Sequence, residues 1–125
     1  MNWWNTKWVS INSYKILILF IIVKNKKVTL DDIDVLIFDF DGVLTDNKVY
    51  IDQNGNESIS CSRSDGLAFI VLEKLKKPTY IISTEKNKVV AVRAKKLKTP
   101  VLFGIQNKFE ALKKLSIKKK FNLDR

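Results

Sequence analysis

The stretch "DVLIFDFDGVLTDNKV", residues 34–49, sets two carboxylates, Asp39 and Asp41, directly behind the apolar run Val35-Leu36-Ile37-Phe38 and just ahead of Gly42. Burying an unpaired carboxylate costs several kcal/mol, so two of them at a strand end imply a compensating partner there. A run apolar on both faces reads as a central parallel strand. Its carboxyl end is the edge at which open α/β sheets hold their ligands.

Working outward, "KVYIDQNGNESISCS" reads as a hairpin over Val49–Ser62, turning at Asn54-Gly55 with positive φ expected at both turn residues. Asp65-Gly66 opens a helix to about Leu75, with Asp65 as N-cap and Leu67, Ile70, Val71 and Leu75 facing inward. Thr79–Ile82 is a second sheet strand ending at Ser83-Thr84, and Asn87 caps a helix to about Leu97. Val101–Phe103 is a third strand. Asn107 with Glu110 resembles a capping box on a last helix carrying Phe109, Leu112 and Leu115 inward. Strands alternating with helical periods imply an α/β fold: a Rossmann-like three-layer sandwich with a mostly parallel sheet and a β-hairpin flap after the first strand.

Composition narrows the chemistry. At 125 residues and 46% hydrophobic the chain makes one domain with a real core. Histidine is absent and Cys61 is the single cysteine, which excludes Ser-His-Asp and Cys-His catalysis, disulfides and multi-cysteine zinc sites. A lone thiol fits a reducing cytoplasm. The net charge of +10 suggests nucleic acid until it is divided along the chain. Residues 31–105 carry eleven acids and eleven bases, so the excess lies in the two ends and no specific nucleic-acid groove is expected. The run Lys118-Lys119-Lys120 reads as a solvated helix end.

Residues 1–28 form an N-terminal extension distinct from a core over 29–125; it holds all three Trp and the eight-residue apolar run Ile16–Val23. Eight apolar residues fall short of the ~20 that span a bilayer as a helix. The extension reads as a signal peptide, an added strand, a poorly ordered segment or a start codon assigned too far upstream, with no small-residue cleavage site favouring the first.

The polar residues that close the strands are Asp39 and Asp41 after the first, Ser83 and Thr84 after the second, and Lys108 a few residues after the third. Two acids, a hydroxyl and a lysine suit a phosphate and a hard metal better than an apolar ligand.

These motifs resemble the haloacid dehalogenase-like (HAD) phosphohydrolases: "FDFDGVLTD" matches their first motif as DxDGVxTD, and "ISTEKN" and "GIQNK" match the second and third. The Asn-Gly hairpin in place of a cap domain and "CSRSDGLAF" resemble the small capless subgroup. That subgroup includes 3-deoxy-D-manno-octulosonate 8-phosphate phosphatase and the phosphatase-like domain of acylneuraminate cytidylyltransferases. The likeness covers about Ile33 to Lys119. It implies Asp39 as nucleophile, forming an aspartyl-phosphate, and Asp41 as general acid and then base. It further implies Mg2+ held by Asp39 and the backbone carbonyl of Asp41, with Ser83 and Lys108 on the phosphate and Lys86 a weaker candidate than Lys108. Arg63 and Asp65 are candidate substrate contacts, although Ser64 stands between Arg63 and Asp65-Gly66 where some relatives have none. By the same resemblance the substrate is a phosphorylated sugar acid, the setting lipopolysaccharide or sugar-nucleotide biosynthesis in the cytoplasm, and the assembly a homotetramer.

A fourth motif of this family, Gly-Asp-Asp after a further strand, supplies another metal carboxylate. The acids after Lys108 are Glu110 and Asp124, neither behind an apolar strand. The expectation is therefore a sheet lacking its C-terminal part and a phosphatase site half built, with low or no activity. Two other classes compete with that reading. One is a noncatalytic HAD-like oligomerisation module; the other, a response-regulator receiver, needs an acceptor Asp where Ser83 stands.

Overall fold

A computed structural model describes residues 28–124, so the expectations for the N-terminal extension fall almost wholly outside the described residues. After a single 3-10 turn (Leu30–Asp32) come β1 (Leu36–Phe38), the hairpin β2 (Val49–Ile51) and β3 (Glu57–Ile59), and α1 (Arg63–Lys74). Next are β4 (Thr79–Ile82), α2 (Val89–Lys96), β5 (Val101–Leu102) and α3 (Lys108–Lys119). The sheet runs β1-β4-β5, wholly parallel, in registers that pair Leu36 with Thr79 and Ile81 with Val101; the hairpin forms a separate two-stranded sheet. This is the α/β architecture read from the alternating pattern.

Central β4 is buried on both faces, as a parallel middle strand must be. Ile81 is fully buried among Phe40, Leu44, Phe69, Val90, Ala94 and Leu97, which brings α1, α2 and the loop after β1 to one face of the sheet. Ile82 points to the other face by the two-residue period of a strand and is buried as well. Leu115 and Ser116 of α3 are buried outside the first cluster. The Lys77 ammonium donates to the Leu30 and Ile33 carbonyls at 2.6 and 2.7 Å, fastening the entry of β1 to the end of α1.

Four local expectations are corrected. The hairpin loop closes between Asp52 and Asn56, whose backbone N–H and carbonyl meet at 3.1 Å, and positive φ falls on Gly55 (+79°) and not on Asn54. The Asp52 carboxylate accepts from Asn54 N and Asn56 N at 2.8 and 2.9 Å, so it builds the turn that a two-residue Asn-Gly loop would otherwise supply. Ser62 is the N-cap of α1, its hydroxyl accepting from Ser64 N, and Asp65 sits in the first turn. There the carboxylate complements the helix dipole. Next, α1 turns Phe69 inward and leaves Leu67, Ile70, Val71 and Leu75 exposed. This helix is apolar on two opposite faces, so its period fits either; Phe69 decides, because its ring packs on Phe38 at 5.2 Å between centroids. In α3 Leu115 is buried, Leu112 half-buried and Phe109 exposed, since Lys108 claims the first turn for the strand-end edge.

Candidate functional site

β1 delivers Asp39 to the carboxyl edge of the sheet, and Phe40, fully buried, pins the loop behind it. The Phe40 carbonyl accepts from Val43 N and Leu44 N, at 3.3 and 2.9 Å, so the chain reverses at once. Gly42 holds φ +75° in that reversal and donates its N–H to Thr45 Oγ1 at 3.1 Å. A side chain there would be held in the left-handed region that L residues rarely adopt, although its Cβ would meet Asn47 only at an ordinary contact distance of 3.5 Å. Phe40 N donates to Asp39 Oδ1 at 2.7 Å, fixing the carboxylate's rotation.

β4 and β5 bring the rest. Ser83 is fully buried; its N–H donates to the Leu102 carbonyl at 2.8 Å and its own carbonyl accepts from Ile105 N at 3.0 Å. Ser83 Oγ accepts from Glu85 N at 3.0 Å, and a hydroxyl that accepts keeps its hydrogen to donate. Gly104 N donates to the Glu85 carbonyl at 2.7 Å, tying the two strand-end loops together. Thr84 and Lys86 are exposed. Asn107 caps α3, accepting from Glu110 N at 3.1 Å, and Lys108 is the first helical residue. Its ammonium lies 2.7 Å from Asp39 Oδ2.

The carboxyl group of Asp41 is pushed up from the ordinary range, first by burial, then by Glu85 and Asp39, with Lys108 opposing. Asp39, Asp41 and Lys108 thus come together at one edge, with Glu85 beside them. Sequence reasoning missed Glu85; an acid two residues beyond Ser83 on the same loop was the available signal. Arg63 is exposed on the first turn of α1. The Asp65 carboxylate lies 3.8 Å from the guanidinium of Arg93, a residue that no motif or spacing singles out. Of the two late acids, Glu110 lies in the first turn of α3 and Asp124 donates its N–H to Asn122 Oδ1. Among the described residues no group of three or more acidic, histidine or cysteine side chains is gathered for a metal ion. Two carboxylates at one edge still meet the small protein share that Mg2+ takes when phosphate and water complete its shell.

A parallel α/β sheet with two acids after its first strand and a lysine returning from its third has the architecture of the HAD-like hydrolases, and solved structures similar to it include HAD family hydrolases. A HAD family hydrolase from Streptomyces avermitilis is 46% identical, matching 78% of this chain and 60% of its own length at a TM-score of 0.74. The 3-deoxy-D-manno-octulosonate 8-phosphate phosphatase of Moraxella catarrhalis, solved with magnesium, phosphate and the sugar acid, is 27% identical over 75% of this chain and 55% of that one, at 0.70. The cobalt-bound phosphatase YrbI from Haemophilus influenzae is 26% identical over 74% and 55%, at 0.66. The chain thus spans between half and three fifths of the solved chains it matches, and its sheet is incomplete relative to theirs. No protein-family model matches it.

Proposed function

We propose that the chain carries the core of a Mg2+-dependent phosphomonoesterase acting on a phosphorylated sugar acid, of the octulosonate 8-phosphate or acylneuraminate 9-phosphate class. The observation that carries this reading is the Lys108–Asp39 pair at 2.7 Å beside Asp41. Asp39, held by Lys108 at the strand end, is a carboxylate nucleophile poised for phosphorus, and Lys108 offsets the charge that gathers when a phosphate dianion approaches it. The raised affinity of Asp41 for its proton suits a group that must hand one to the leaving alcohol and then take one from water. Ser83 donates to a phosphoryl oxygen through the hydrogen its own contacts leave over. Asp39 and the Asp41 carbonyl would hold the metal, which supplies charge neutralisation between carboxylate and phosphate. Arg63 and Asp65, at the base of the hairpin, are the candidates for the sugar acid. The chain would work in the cytoplasm; among the described residues no helix is long and apolar enough to cross a membrane.

The test is phosphate release from 3-deoxy-D-manno-octulosonate 8-phosphate with Mg2+. Turnover abolished by Asp39→Asn, with a phosphate adduct on the wild-type protein absent from the variant, supports the reading. An Asp39→Asn protein as active as wild type ends it.

A second reading draws on the hairpin, where Val49, Tyr50 and Ile51 are all more than half exposed. Apolar side chains presented in that way suit assembly into a tetramer, so a noncatalytic oligomerising module is the alternative. Size-exclusion chromatography beside the phosphatase assay separates the two: a tetramer without turnover favours the module.

A further inference from the structure

Arg93 of α2 reaches back across the fold to the hairpin's base. Its Nη2 donates to the Ser62 carbonyl at 2.6 Å and stands 3.8 Å from Asp65 Oδ2. The side chain is 17% exposed, and its Nε is buried without a hydrogen-bond partner among the described residues. A guanidinium is costly to bury with a donor unmet, so the contacts its fork does make must outweigh that cost.

What the fork grips is a tether. The hairpin shares no strand pairing with the main sheet; it connects through the Asp41 loop on one side and through Ser60-Cys61-Ser62 on the other. Ile59 and Cys61 pack against the core, and Ser62, the residue Arg93 holds, is the N-cap from which α1 starts. α2 itself follows the Ser83–Lys88 loop directly. Arg93 therefore links the strand-end loop that carries Ser83 to the foot of the hairpin that rises from the Asp41 loop.

We propose that Arg93 is a positioning residue: by clamping Ser62 and Asp65 it sets how the hairpin stands relative to Asp39, Asp41 and Ser83. The effect on substrate rests on the phosphatase reading above, whereas the effect on the hairpin does not.

The experiment compares the full chain with Arg93→Met and Arg93→Lys by amide hydrogen exchange. The lost bond is one to a charged donor, so opening of the hairpin should be roughly tenfold to a hundredfold more frequent in Arg93→Met. Peptides over 49–60 then exchange faster while those over β4 do not. The Lys variant, which keeps the charge near Asp65 but not the fork, falls between. Unchanged exchange in the hairpin, or equal acceleration everywhere, overturns the clamp. With the sugar-acid phosphate, Arg93→Met should raise KM about tenfold and leave kcat on p-nitrophenyl phosphate intact; an equal fall in kcat on both substrates overturns the positioning role. If wild-type protein hydrolyses neither compound, the phosphatase reading has failed and the exchange pattern alone decides. If Arg93→Met does not fold, Arg93→Lys carries the same comparisons.

Discussion

The Lys108 ammonium and the Asp39 carboxylate, one opening α3 and the other closing β1, meet at 2.7 Å with more than a third of each side chain open to solvent. That exposure separates two roles for the pair. An ion pair so solvated adds no more than about 1 kcal/mol to stability. On the proposed phosphatase reading the same lysine would face an approaching phosphate where water has been displaced, and there the loss of one charge-stabilising donor costs about 10²- to 10³-fold in rate. Lys108→Met should therefore melt within a few degrees of wild type and lose at least about a hundredfold in phosphate release. A variant that unfolds, or that stays active, removes Lys108 from the site.

Phe40 supports both acids from beneath. It is fully buried between Asp39 and Asp41, and its carbonyl organises the reversal after β1. Phe40→Ala should cost about 3–5 kcal/mol by the cavity it leaves. Denaturant titration followed by fluorescence or circular dichroism would show the shift. A loss below about 1 kcal/mol would mean the loop does not depend on that anchor.

The Cys61 thiol is pushed up, chiefly by burial, with Arg93 opposing and Asp65, Asp46 and Asp41 adding to the rise. The sign follows from the thiolate being the disfavoured form. The folded chain holds the proton more tightly than the unfolded one, so this contribution to stability is complete below the unfolded thiol's pKa and is lost as pH rises through the folded one. Alkylation by iodoacetamide should reach half its maximal rate at a higher pH than in a short peptide containing the same cysteine. Arg93→Met should move that midpoint higher still. A midpoint at or below the peptide's would show that burial does not control the thiol.

The first strand and its acids were legible because few arrangements reconcile two carboxylates with a strand apolar on both faces. Ser83 and Lys108 followed from asking which polar residues close the other strands. The partners of Arg93 were not legible: α2 and the Ser62–Asp65 turn are far apart in sequence, and nothing in either segment reports that they touch. Glu85 was passed over because its neighbours Ser83 and Thr84 already filled the expected strand-end role. The Asn54-Gly55 turn misled through Asp52, whose side chain stabilises a longer loop that a dipeptide rule does not see.

The faces of α1 give a sharper test of the same lesson. Leu67 and Val71 lie on its exposed side, 68% and 53% open, while Phe69 on the opposite side is buried against the core. Leu67→Lys and Val71→Lys should each change the stability of the monomeric fold by no more than about 0.5 kcal/mol, because neither removes a packed side chain. Phe69→Ala should cost about 3–5 kcal/mol, losing the ring that sits on Phe38. The periodicity reading, which placed Leu67 and Val71 inward, requires the opposite order, so urea midpoints of the three variants discriminate between the two faces. If the lysine variants instead lose stability only at concentrations where wild type self-associates, that side of α1 is covered in an assembly, and dilution would restore parity between variant and wild type.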